Sequence, residues 1–312
     1  MKTMEITVHN LTKKYGLTAV LTDMNFTVDK GEILGFLGPN GAGKTTTMRI
    51  LTGFLAPTSG EVKIAGLDIL EESLKTRQKI GYLPENNPLY NEMKVFEYLE
   101  FVARAKGIQN WQEEVKRVLH AAKLHDRLDQ PIGELSKGFR QRVGIAQALL
   151  GDPEIIIMDE PTSGLDPNQI VEIRNLIKEI GKTKTVILST HILSEVQASC
   201  TRAIIINKGK IVATGTTEDL ISQAHGKTEI RLTVSEKRDD FELALRSVPG
   251  VTAVIFSHDS KPGEAKYSIE LGENIDARKE ISKLCVEKDV ILLGMELKTL
   301  SLEEVFRQLT RE

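Results

Sequence analysis

The run Gly38-Pro39-Asn40-Gly41-Ala42-Gly43-Lys44-Thr45 constrains this chain of 312 residues more than any other stretch. It obeys the spacing Gly-x-x-x-x-Gly-Lys-Ser/Thr of a P-loop, which average residue usage yields roughly 0.01 times in a chain this long. Residues 32–37 before it read as a buried strand, and residues 45–53 after it as a helix. A strand, a glycine-rich turn and a helix N-terminus in that order aim successive backbone N–H groups at one point, and phosphate is what such a point binds. Gly38, Pro39, Asn40, Gly41, Ala42 and Gly43 form the cradle, and Lys44 meets the β and γ phosphates. Thr45 and Thr46 add hydroxyls at the helix start, the first of them for a metal. The pattern predicts a site for a nucleoside triphosphate together with Mg2+.

A chain of this length has room for two or three domains. Lys+Arg total 41 and Asp+Glu 44, a net charge of −3, and no basic block marks a nucleic-acid groove, so no nucleic acid is expected as a partner. Cys200 and Cys285 stand far apart without metal-ligand spacing, which fits reduced thiols in a reducing, cytoplasmic compartment. No stretch approaches the roughly 18 apolar residues of a membrane span, and the N-terminus lacks an apolar signal core. Any work on a membrane is then expected to go through a partner.

Residues 5–11 and 22–28 read as strands of an antiparallel flank, and residues 61–64 as a further short strand. From residue 90 to 150 the pattern is mostly helical, a subdomain of about residues 86–150 inserted into the core. A strand over 154–158, a helix over 167–180 and a strand over 185–189 restore an alternation that predicts a mostly parallel sheet. From residue 228 the order changes again. Residues 229–234, 239–248, 251–256, 266–271, 277–287 and 291–297 read as β-α-β-β-α-β, the ferredoxin-like split pattern, with a last helix over 302–309. Residues 228–312 carry 13 basic and 17 acidic side chains, so this is no basic tail. The expected domains are 1–225 and 228–312.

The second half of a phosphate site is the strand Ile155-Ile156-Ile157-Met158, which ends in Asp159-Glu160 just before the strand-breaking Pro161. This is the Walker-B form. Neighbouring residues at a strand end point different ways, so Asp159 faces a metal shared with Thr45 while Glu160 faces an attacking water as general base. Between these motifs, Ser136 is a good N-cap, and Phe139, Val143, Ala146 and Leu150 recur at helical spacing until Gly151 and Pro153. A second helix N-terminus therefore points outward.

Phosphate loop, capped helix and acidic strand end, in this order, resemble the ATP-binding subunit of ABC transporters, and the resemblance covers most of residues 5–215. It implies an α/β P-loop ABC ATPase cassette, with a mostly parallel core sheet, an antiparallel β flank and a helical subdomain, followed by the small α+β ferredoxin-like domain. Residues 135–141 match the family's signature in the variant form LSKGF, which makes Ser136 and Gly138 contacts to the nucleotide of a second subunit. Tyr15 matches the aromatic that stacks on adenine, Ser163-Gly164-Leu165-Asp166 the loop that links the dimer halves, and His191 the switch histidine at the γ phosphate. Asp166 is also an N-cap with Pro167 at the first helical position.

One position departs from the family's usual pattern. Glu85 stands where Gln is customary, and an ionised carboxylate only accepts hydrogen bonds, so Glu85 is expected to hold magnesium or the water differently. The segment from Gly81 to Asn87, together with Lys137, resembles the drug-resistance and gliding-motility type exporters, as does the closing segment from Leu300 to Phe306. The implied protein is an ATPase, a homodimer or heterodimer bound to an integral membrane permease on the inner face of the membrane, with residues 85–107 as either the docking groove or a solvated amphipathic helix with ordinary core contacts. A soluble ABC-type ATPase of ribosomes or nucleic acids usually has two cassettes, long insertions or basic arms, none of which is visible. An importer ATPase with a β-rich regulatory domain fits the C-terminal order poorly.

Overall fold

The computed structural model describes residues 4–223, 229–257, 263–272, 275–298 and 306. Strands β1 (Met4–Tyr15) and β2 (Thr18–Asp29) form a long antiparallel hairpin, and β4 (Ser59–Ile64) with the short β5 (Leu67–Asp68) extends it beyond β1. Its apolar residues Ile6, Val8, Leu21, Met24, Phe26 and Val28 pack against β3 (Ile33–Leu37) and α1 (Lys44–Leu51), through Leu34, Phe36, Met48 and Leu51. The phosphate loop is thus clamped between two sheets.

The second sheet is the one the alternation predicts. In it β9 (Arg202–Asn207), β3, β8 (Thr185–Thr190), β7 (Ile155–Asp159) and β6 (Ile80–Leu83) lie side by side in parallel, and β10 (Lys210–Gly215) adds an antiparallel edge. Strands β3, β7 and β8 are buried at every residue, as strands covered on both faces must be. Helix α2 (Ser73–Gln78) precedes β6, α6 (Pro167–Gly181) joins β7 to β8, and α7 (Leu193–Ser199) joins β8 to β9. The insertion holds α3 (Val95–Ala105), α4 (Trp111–Ala121) and α5 (Lys137–Leu149), whose residues Leu99, Val115, Leu119, Val143 and Ala146 share one core with Ile156 and Met158 of β7.

The chain divides between Thr217 and Glu218, within α8 (Thr217–Gln223), into two compact units. The second contains β11 (Glu229–Val234), α9 (Asp239–Arg246), β12 (Val251–Ser257), β13 (Ala265–Leu271), α10 (Arg278–Glu287) and β14 (Leu292–Lys298). Its sheet order is β12-β13-β11-β14, antiparallel throughout, which is the ferredoxin-like arrangement. Alternation on β13 buries Ala265, Tyr267, Ile269 and Leu271 against Phe241, Leu245, Ile281 and Cys285. The helix expected over 302–309 lies outside the described residues, Phe306 excepted. Both cysteines are free thiols. Among the described residues no helix is long and apolar enough to cross a membrane.

Candidate active site at the phosphate loop

Strand β3 delivers the chain to Gly38, whose N–H donates to the Thr190 carbonyl at the end of neighbouring β8 (3.3 Å). A side chain at Gly38 would stand 2.4 Å from the Ile206 carbonyl, so only glycine passes here. Gly43 caps α1 at φ 108, a left-handed conformation open to glycine. Lys44 is 6% exposed and folds back over the loop. Its Nζ donates to the carbonyls of Gly38 (2.8 Å) and Pro39 (3.2 Å) and stands 3.3 Å from Glu160 Oε1.

The acidic pair at the end of β7 divides as its alternation requires. Asp159 is fully buried; its Oδ1 accepts from Ser189 Oγ, and its Oδ2 has no hydrogen-bond partner among the described residues. Tyr82 on β6 senses this carboxylate: burial first, and the Asp159 charge second, push its phenol up to about 12. Glu160 leaves the strand at φ 47, a left-handed backbone that costs a non-glycine residue on the order of 1–3 kcal/mol. Its N–H donates to Ser189 Oγ (3.0 Å) and the Ser189 carbonyl (3.2 Å). Its Oε2 lies 2.9 Å from Nδ1 of the half-exposed His191 imidazole. Lysine, glutamate and histidine thus form one chain of contacts at the mouth of the loop.

A hollow of about 380 Å³ opens there. It is lined by Val20, Asn40, Gly41, Gly43, Lys44, Thr45, Thr46, Glu85, Glu160, Ser163 and His191. Motifs more than a hundred residues apart therefore converge, with Asp159 buried beside them. Gly38, Pro39 and Ala42 form the back of the loop. Val20 and Ser189 belong to this site, and neither stands out in the sequence. The register of two parallel strands opposes Asp159 to Ser189, and only that register reveals the serine.

Three expected residues lie elsewhere. Tyr15, at the end of β1 and half exposed, lines a separate hollow of about 790 Å³ with Arg49, Phe54, Tyr82, Pro84 and Asn86. The long hairpin carries its ring there, beside Lys13 Nζ at 5.3 Å. Ser136 caps α5, accepting from the Phe139 N–H (3.4 Å), and Gly138 packs so tightly on Gln169 of α6 that a Cβ would stand 2.7 Å from it. Neither residue lines the hollow of its own phosphate loop.

The geometry suits binding a polyphosphate and placing a base at its end. The sequence profile of the ABC transporter family matches residues 21–163. The linearmycin resistance ATP-binding protein LnrL of Bacillus subtilis is 34% identical over 310 residues, spanning 96% of this chain and 96% of that protein. The Nod factor export ATP-binding protein I of Cupriavidus metallidurans is 37% identical over 226 residues, spanning 70% of this chain and 73% of its own length. Among solved structures, the dimeric post-hydrolysis state of the ATP-binding cassette MJ0796 bound to ADP and Pi matches with a TM-score of 0.61 at 28% identity. It covers 68% of this chain and 98% of that one. With its phosphate loop, acidic strand end and these likenesses, the chain belongs to the ABC transporter family of ATP-binding proteins.

Proposed function

We propose that this chain is the ATP-hydrolysing subunit of an ABC exporter, acting as a dimer that drives a separate integral membrane permease. The observation that carries the reading is the contact chain from Lys44 through Glu160 to His191 at the mouth of the phosphate loop. Two carbonyls and a carboxylate hold the Lys44 ammonium in the cradle. An incoming triphosphate offers it denser negative charge, and as Lys44 turns to the β and γ phosphates it releases Glu160 Oε1. Glu160 then accepts a proton from water as the water oxygen attacks the γ phosphorus and the bond to the ADP oxygen breaks. His191 holds the other carboxylate oxygen of Glu160, which aims the base.

Asp159 supports a magnesium site, because a buried carboxylate oxygen without a partner is costly unless a cation or donor meets it. Asp159 Oδ2, the Thr45 hydroxyl and Glu85 are hard oxygen donors of the kind that ion takes. When bound, it would neutralise charge on the β and γ oxygens.

Dimerisation is supported by the dimeric state of a similar solved cassette and by the exposed N-cap Ser136, which starts a helix outside its own hollow, where a second chain's nucleotide could meet it. The permease reading rests on the segment Pro84-Glu85-Asn86: Glu85 lines the phosphate hollow, while its neighbours line the larger hollow beside the exposed ring of Phe54. A helix docked there would share one short segment with the phosphate site. Export is favoured by the resistance and export functions named for two relatives.

The Glu160→Gln variant tests this reading. It is expected to bind ATP as the wild type does, to lose about 10²–10⁴-fold in turnover, and to elute as a dimer in size-exclusion chromatography with ATP. Undiminished turnover would remove Glu160 as the base, and a monomer at saturating ATP would remove the dimer.

A further inference from the structure

Glu195 is a carboxylate that the mechanism above does not use. It lies on the first turn of α7, is 2% exposed, and stands outside the phosphate hollow. Its Oε1 accepts from the Thr162 hydroxyl and its Oε2 from the Thr190 hydroxyl (2.6 Å). Both threonines are themselves buried, at 3% and 0% exposure. Thr162 comes two residues after Glu160, and Thr190 comes immediately before His191. Thr190 also accepts the Ile192 N–H on its hydroxyl (3.0 Å) and the Gly38 N–H on its carbonyl. One side chain therefore ties the loop that carries the base to the loop that carries the histidine, with a backbone link to the phosphate cradle.

Packing alone does not call for a carboxylate here. The neighbouring inward positions of α7 are Leu193 and Val196, and burying an ionised carboxylate is unfavourable unless its oxygens are paired. Glu160, meanwhile, needs support from outside, because its left-handed backbone relaxes unless the flanking chain is held. We propose that Glu195 is a positioning residue for ATP hydrolysis: by gripping Thr162 and Thr190 it keeps Glu160 and His191 in register. It touches no substrate and acts only through the two loops. The proposal rests on the reading of this site as the ATP-hydrolysing one.

Steady-state ATP hydrolysis by the full chain, with ATP titrated, tests it in Thr162→Val and Glu195→Gln. Thr162→Val keeps the side-chain volume and the Thr190 bond, so it carries the test even where Glu195→Gln folds poorly. Both variants are expected to lose about tenfold to a hundredfold in kcat, with KM for ATP within about twofold of wild type, because the base is displaced while the cradle stays intact. Thr162→Val added to His191→Ala is expected to cost less than about twofold, since the contact it preserves is already gone. Wild-type kcat in both single variants overturns the proposal. So does an equal loss in the His191→Ala background, which marks a merely structural role. A wild-type chain without turnover overturns the reading of the site and the proposal with it.

Discussion

At the scale of single residues, the contacts of Lys44 are informative. Three oxygens surround its ammonium, two of them backbone carbonyls of the loop itself, so the cradle is built around an internal cation. Lys44→Ala removes that cation and leaves Glu160 with His191 as its remaining side-chain partner. A hydrogen bond to a charged group contributes about 1.5–3 kcal/mol, and each 1.4 kcal/mol is tenfold in affinity, so ATP binding is expected to weaken by about 10–100-fold. Titration with a fluorescent ATP analogue measures this directly, and a change of less than about threefold would show that the N–H groups alone hold the phosphates. Much of the site was legible because its motifs are contiguous: Gly38 to Thr46 and Asp159-Glu160 each state their chemistry within a few residues. Ser189, Val20 and Glu195 were not legible. Ser189 acts through strand pairing, Val20 through the approach of the hairpin to Gly43, and Glu195 through hydroxyls on two other loops.

Elements explain the remainder of what could and could not be read. Strands β3 and β7 announce themselves as short apolar runs, whereas β6 has four residues and a glycine at its second position. That glycine is there for a tertiary reason, because a Cβ on Gly81 would stand 2.0 Å from the Ala148 carbonyl of α5. No local rule could supply it. The C-terminal end of the same helix is held to α4 through hydrogen bonds from an ion pair within α4, whose strength depends on pH. Arg117 hydrogen-bonds both carboxylate oxygens of Glu114 and the Leu149 carbonyl, and Glu114 also accepts the Gly151 N–H (2.7 Å). Arg117 first, and the Gly151 N–H against the opposing effect of burial, hold the Glu114 carboxyl below its ordinary value of 4.5. A carboxyl depressed in the folded state adds stability that is fully present above its unfolded value and is lost as pH falls through the folded one. Glu114→Gln is therefore expected to lower Tm by about 2–4 °C near neutral pH, a gap that closes as pH drops below 4.5. Thermal unfolding of both chains across that range checks it, and a gap independent of pH would assign the loss to packing.

The whole molecule is two units with separate cores, and each unit holds one thiol: Cys285 buried in its core and Cys200 partly buried against its own. Cys200 lies in the first unit, with its Sγ against Gly35 of β3, and burial pushes its thiol up to about 12. Cys285 lies on α10 of the second unit, 2% exposed, and burial raises its thiol as well. Thiolates are the reactive form, so both sites resist alkylation until their own core opens. The hollow proposed for the nucleotide is lined by residues of the first unit. A ligand stabilises only what unfolds together with its site, by about 2.7 kcal/mol at a hundred times its Kd. Urea titration with pulsed alkylation, read separately at the two cysteines, is therefore expected to show ADP moving the Cys200 midpoint upward while the Cys285 midpoint stays where it was. At about 0.05–0.15 kcal/mol per residue, the second unit, Glu218–Arg311, holds about 5–14 kcal/mol on its own, enough for a separate cooperative transition. If ADP shifted both midpoints equally, the C-terminal unit would owe its stability to the cassette, and Cys200 and Cys285 would report a single unfolding event.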